Sequence, residues 1–258
     1  VNSYPDADVS NLYEDLRDEP EKLPVPASAL AVGAHPDDAE FGAGATLARW
    51  ADSGTAVALL VVTDGSKGSW DRDADPAALA ERRRHEQNEA AAVLGARSTI
   101  VLNYVDGELE YTMDLRAELC YWVRRLQPEV VLTHDPWQHY QLHPDHRITG
   151  LSTLDAVAAA RDPLFFPAQL SDAEPHRPAA VLLWSADEPN HWEDAAGWVE
   201  HKITALLCHS SQSATTLGNA DADPESAAAF AERVRAWAAR SGEPAGLTAA
   251  EAFRRITP

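Results

Sequence analysis

Residues 28–42 read SALAVGAHPDDAEFG, and the order of residue types within them decides the architecture. A short run of small and branched apolar side chains reaches Gly33, and His35, Pro36, Asp37 and Asp38 follow before an Ala-rich helical pattern opens over 41–53. Buried strand, sharp polar turn and helix, in that order, make a β-α unit. The pattern recurs. Four more β-branched runs stand at 56–65 (AVALLVVTDG), 98–107 (STIVLNYVDG), 129–135 (EVVLTHD) and 179–185 (AAVLLWS). Helical segments at 76–94, 114–126 and 144–161 separate them; in 114–126, Leu115, Leu119, Trp122, Val123 and Leu126 share one face and Pro128 stops the helix. Such alternation predicts an α/β, Rossmann-like fold: a mostly parallel sheet with helices on both faces.

The chain of 258 residues, 45% hydrophobic, is long enough to bury one sizeable core, and a single domain over 1–258 is expected. Residues 1–25 read as a covering extension. Residues 223–258 read as a C-terminal helical segment, capped by Asp223 or Pro224, ended by Gly242 and followed by AEAFRRI as a short turn. With 21 basic against 41 acidic residues and a net charge of -20, a nucleic-acid partner is not expected. Cys120 and Cys208 are the two cysteines, so neither a disulfide framework nor a Cys-type zinc site is expected, and a reducing compartment fits. No apolar run reaches the length of a membrane span and 1–20 shows no basic-then-apolar signal pattern, which predicts a cytoplasmic protein without a membrane partner.

In open parallel sheets, ligands bind beyond the carboxyl ends of the strands. Reactive residues gather there: His35–Asp38 after the first run, Asp64 after the second, Asp106 after the third, and THDPWQHYQLHPDHR after the fourth. His134, His139, His143 and His146, four of the ten histidines, fall within thirteen residues. His35 with Asp38, and His143 with His146, are spaced by three, which at a helix start puts each pair on one face, able to converge on one ion. Two His and a carboxylate with an open fourth position describe a catalytic zinc site, with Fe(II) or another divalent ion an alternative. Asp37, held beside the metal and not bound to it, can take a proton from the activated water.

Plainer roles compete. Asp37 or Asp38 can cap the helix; Asp64 and Asp106 precede glycines and read as turn residues as well as substrate contacts; His134, inside the strand end, reads as a hydrogen-bonded structural histidine. GAGATL at 42–47 fails as a dinucleotide fingerprint, because its third glycine position is Leu47 and it lies within the helix. Neither a Walker-type loop nor a G-x-S-x-G elbow occurs.

AHPDDAEFGAGATLA, followed about a hundred residues later by HPDHR, resembles the LmbE/PIG-L family of zinc-dependent N-acetylglucosaminyl deacetylases. VVTDGSKG, RRHEQNEAAAVLGA, LNYVDGEL and KITALLCHSSQ extend the resemblance over most of the chain. It implies that His35, Asp38 and His146 bind the metal, that Asp37 is the general base, and that His143 stabilises charge or protonates the leaving amine. Arg83 matches a family arginine that reaches substrate, or bridges along its helix to Glu86 or Gln87. Tyr140, three residues ahead of His143, is the nearest match to a tyrosine that in the mycothiol branch lies two residues ahead and polarises the amide carbonyl. The expected reaction is hydrolysis of an N-acetyl group on an amino sugar or its conjugate, by a chain similar to frequent homo-oligomers. An amidase of a thiol-sugar conjugate and a non-catalytic sugar-binding protein are the alternatives.

Overall fold

A computed structural model describes residues 23–221 and 223–258, so the expected extension at 1–25 lies, apart from its last residues, outside the described residues. The five expected strands form as β1 (Ser28–Gly33), β2 (Ala56–Thr63), β3 (Ser98–Tyr104), β4 (Val130–His134) and β5 (Ala180–Trp184). Between and after them run α1 (Asp38–Asp52), α2 (Pro76–Val93), α3 (Met113–Leu126), α4 (Pro144–Ala160), α5 (Val199–Leu207) and α6 (Pro224–Gly242). Two further strands, β6 (His191–Asp194) and β7 (Ala250–Ile256), complete a seven-stranded sheet in the order β3-β2-β1-β4-β5-β7-β6. β1 to β5 pair in parallel, and β7 runs antiparallel between β5 and β6.

AEAFRRI is therefore a strand and not a short turn, and the C-terminal segment is helix followed by strand. Glu251, Arg254 and Arg255 interrupt its apolar alternation, so the local signal is weak; pairing with β5 and β6, with Phe253 buried, holds it extended. Asp223 caps α6 as expected, accepting from Ser226 N at 2.8 Å. No helix among the described residues is long and apolar enough to cross a membrane.

Successive strand side chains point to opposite faces. Ala31, Leu59, Leu132 and Leu182 meet Leu47 and Trp50 of α1 and Ala90 of α2 on one face. Leu30, Leu60, Val131 and Val181 meet Leu115 and Leu119 of α3 and Ala156 of α4 on the other. Each fully buried Leu or Val contributes about 1.5–3 kcal/mol by leaving water.

α1 is broken at Ala43 (φ -148°, ψ 16°), which frees backbone groups on both sides of the break. Glu251 accepts from Ala45 N (3.1 Å) and Thr46 N (2.7 Å), while Lys202 Nζ donates to Phe41 O and Glu251 Oε1, each at 2.7 Å. The glycines of GAGATL serve packing at this break. A methyl on Gly42 would run into the Trp184 ring, and one on Gly44 would press on the Lys202 side chain.

The chain leaves β1 toward β2 and β3, then returns to β4 on the other side of β1. That reversal opens a crevice between the carboxyl ends of β1 and β4, the usual ligand position in such sheets. HPDD follows β1 and HPDH follows β4, so the topology brings the two motifs together.

Candidate metal centre and active site

The turn after β1 is strained. Asp37 occupies the N-cap of α1 at φ 107°, ψ -21°, a left-handed conformation that costs a non-glycine residue about 1–3 kcal/mol. Its side chain caps nothing; its backbone N–H donates to Gln87 Oε1 at 3.0 Å. Asp38 folds back so that Oδ2 accepts from His35 N at 2.7 Å. His35 and Asp38 thus converge through a tight turn and not on one helical face, because α1 begins only at Asp38, and Pro36 likewise precedes the helix. The second motif behaves as expected at its proline: His143 is the N-cap and Pro144 opens α4.

His146 Nε2 lies 3.2 Å from His35 Nδ1 and 3.4 Å from Asp38 Oδ1, and His35 Nδ1 lies 3.4 Å from Asp38 Oδ2. A tetrahedral ion with bonds of about 2.0–2.1 Å needs ligand atoms about 3.3 Å apart; His35 Nδ1 and His146 Nε2 meet that spacing, and Asp38 brings Oδ1 to a matching distance from His146 and Oδ2 to one from His35. Ligand atoms are close enough to share an ion in the groups His35/His143/His146, Asp38/His134/His146 and His35/Asp106/Asp145.

Beneath His35 lie two carboxylates. Its Nε2 is 3.2 Å from both Asp106 Oδ1 and Asp145 Oδ2. Asp145, 0% exposed, also accepts from Gly107 N (2.7 Å) and Leu109 N (3.4 Å). Sequence reasoning passed over Asp145. The signal available was chemical: an imidazole that binds metal through one nitrogen needs an acceptor for its other N–H. Burial alone would raise the carboxyls of Asp145 and Asp106, but His35, the backbone N–H donors and neighbouring cationic groups outweigh it and hold both below the ordinary range. Burial opposes charge on His35, yet Asp106, Asp145 and Asp38 together raise it well above an ordinary imidazole.

Asp37 is the contrary case. Burial lifts its carboxyl to about 6, against the opposing Arg83, whose Nη2 lies 3.6 Å from Asp37 Oδ2, and Asp38 adds repulsion. His143 packs edge-on against His35 (4.5 Å between ring centroids) and stacks on His146 (4.9 Å). Burial, then His35 and His146, lower its basicity and favour the neutral ring.

Arg83 bridges neither to Glu86 nor to Gln87. At 3% exposed, it donates to Pro36 O (2.6 Å) and Gly65 O (3.0 Å), tying the turn after β1 to the one after β2. Asp106 lines the cavity, but Asp64 does not. Asp64 Oδ1 accepts from Ser66 N (2.9 Å) and Asp106 N (3.1 Å), so it ties two loops together. Tyr140, the residue expected to help polarise the amide carbonyl, is 94% exposed at φ 59° and does not line the cavity. The cavity holds about 930 Å³, with His35, Asp37, Asp38, His143 and His146 at one end and Trp192 and Trp237 in its wall.

The PIG-L family profile, described as GlcNAc-PI de-N-acetylase, matches residues 30–157. Diacetylchitobiose deacetylase of Thermococcus kodakarensis is 37% identical over 184 residues, 71% of this chain and 69% of that one. Mycothiol S-conjugate amidase of Streptomyces coelicolor is 31% identical over 160 residues, 54% of each. The solved structure of N,N'-diacetylchitobiose deacetylase from Pyrococcus horikoshii, in complex with an inhibitor, superposes with a TM-score of 0.86 at 29% identity, covering 98% of this chain and 95% of that one. Fold, paired motifs and these relationships agree, and the chain belongs to the PIG-L (LmbE) family.

Proposed function

We propose that this protein is a zinc-dependent amide hydrolase that removes the acetyl group from an N-acetylated amino sugar or its conjugate, with His35, Asp38 and His146 as metal ligands. The observation that carries the proposal is the convergence of His35 Nδ1 and Asp38 Oδ1 on His146 Nε2, at 3.2 and 3.4 Å, with the buried Asp37, whose side chain caps nothing, alongside. His35, Asp38 and His146 would hold a divalent ion, which when bound would polarise an amide carbonyl and lower the pKa of water.

The remaining work falls to side chains. Asp37 accepts the proton of the attacking water and returns it to the leaving nitrogen; in the metal-free protein burial lifts its carboxyl to about 6, toward the range a proton carrier needs at neutral pH. His143, kept neutral by burial, offers an N–H to the carbonyl oxygen as negative charge develops. Arg83 holds the Asp37 turn in its strained form through Pro36 O. Asp106 and Asp145 accept the second N–H of His35 and so present Nδ1 to the ion.

The acetylated-sugar substrate class rests on the two diacetylchitobiose deacetylases. The mycothiol-conjugate amidase among the relatives supports a second reading, cleavage of a thiol-sugar conjugate by the same groups. Metal analysis of purified protein, combined with an acetate-release screen over free N-acetyl amino sugars, their glycosides and S-conjugates, tests both. Stoichiometric zinc with acetate release from the sugars is expected; a protein that binds no divalent metal overturns the proposal.

A further inference from the structure

We infer that Trp184 and His134 form a positioning relay for Asp38: the Trp184 indole fixes the His134 tautomer, and His134 then aims the Asp38 carboxylate while staying outside the ligand set. The inference rests on the metal centre proposed above.

By proximity His134 qualifies as a ligand, since its Nε2 and the ligand atoms of Asp38 and His146 lie close enough to share an ion. Hydrogen bonding argues otherwise. Trp184 Nε1–H, which can only donate, points at His134 Nδ1 at 3.0 Å. Nδ1 must therefore keep its lone pair, and the proton of the neutral ring sits on Nε2. That nitrogen faces Asp38 Oδ2 at 3.1 Å as a donor, with no lone pair left for a metal. Ala34 N–H also points at Nε2, at 3.3 Å, the longest of the three contacts; the carboxylate is the charge-assisted partner, about twice as strong as a neutral one, and takes the Nε2 proton.

The consequence falls on Asp38. Oδ2 receives both His35 N–H (2.7 Å) and the His134 donor, so Oδ1, 3.4 Å from His146 Nε2, is the oxygen free to face an ion. Asp38 then binds through one oxygen. The relay is built into the packing: His134 stacks on His146 (4.3 Å between centroids, 15° between planes), Trp184 is 2% exposed, and Gly42 at the break in α1 leaves room for the indole.

Three measurements test it. In the metal-free protein, long-range ¹⁵N–¹H NMR of the histidine rings is expected to show His134 protonated at Nε2, and W184F, which keeps an aromatic ring but removes the N–H, is expected to lose that fixed tautomer. This readout needs neither metal nor substrate, so it stands or fails apart from the proposed function. In the zinc protein, His134→Leu is expected to raise the zinc dissociation constant about 10–100-fold, and His134→Gln, whose amide can donate to Asp38, to recover most of it. The visible spectrum of the cobalt-substituted protein is expected to keep its nitrogen ligation in His134→Leu. A proton on Nδ1, loss of a nitrogen ligand in the cobalt spectrum, or unchanged zinc affinity in His134→Leu would overturn the inference.

Discussion

The two motifs of the crevice, HPDD and HPDH, place an aspartate at the same third position and use it in opposite ways. Asp37 stands at a strained helix entry, faces the cavity, and has its carboxyl lifted to about 6 by burial. Asp145 lies one residue into the relaxed helix opened by Pro144, faces away from the cavity beneath His35, and is held below the ordinary range despite its burial. The difference lies in donors. Asp145 collects N–H groups from Gly107 and Leu109 and from the His35 ring, which stabilise its charge; the side chain of Asp37 has Arg83 at 3.6 Å and a repelling neighbour in Asp38. One residue type in one motif position is thus held in two opposite electrostatic settings, which the proposed mechanism uses as a proton carrier and a fixed anion.

The sharpest way to break this contrast is to neutralise each member. Asp37→Asn is expected to lower kcat by roughly 10²–10⁴-fold with zinc content unchanged, read from turnover and metal analysis on the same sample. Loss of the metal instead would put Asp37 among the ligands. Asp145→Asn is expected to do the reverse, weakening zinc binding about 10–100-fold in a chelator competition while the fully loaded enzyme keeps most of its kcat. Should Asp145→Asn abolish turnover with metal in place, the division of roles fails.

Acid titration separates the two further. Arg83 lowers the Asp37 carboxyl, so Arg83→Met is expected to move the acid limb of the kcat/KM profile to higher pH; a shift to lower pH contradicts the assignment of Asp37 as base. Stability follows with opposite signs. In the metal-free protein a carboxyl at about 6, raised from 3.8, weakens the fold when ionised, so Asp37→Asn is expected to raise Tm above pH 6, with the gain fading as pH falls through that value toward 4. Each kcal/mol recovered corresponds to about 2–4 °C. Asp145, with its lowered carboxyl, stabilises the fold above its unfolded value, so Asp145→Asn is expected to lower Tm at pH 7 by an amount that shrinks on acidification. Tyr140→Phe gives the smallest effect: less than about a twofold change in kcat/KM, as for a solvent-facing side chain away from the chemistry.

Much of this was legible in the chain itself. The apolar runs and Ala-rich segments announce five parallel strands and their helices because burial on both sheet faces demands continuous apolar strands. The paired motifs mark the crevice because polar, chemistry-bearing residues at strand ends have few other reasons to cluster. Legibility stopped where a role depends on a partner distant in sequence. β7 carries too many charges for its strand period to show, and only pairing with β5 and β6 makes it extended. Tyr140 sits near the second motif, yet its side chain is exposed and does not line the cavity.

The sequence alone determined the fold class, the two motifs and their residence at one rim of the sheet, because hydrophobic period and local turn chemistry are written in neighbouring residues. Tertiary structure alone decided that Asp145 lies beneath His35, 110 positions away, that Arg83 braces the Asp37 turn, and that His134 meets both Trp184 and Asp38. Protonation, tautomer and ligand choice follow from burial and from donors on other elements, and those are properties of the packed chain.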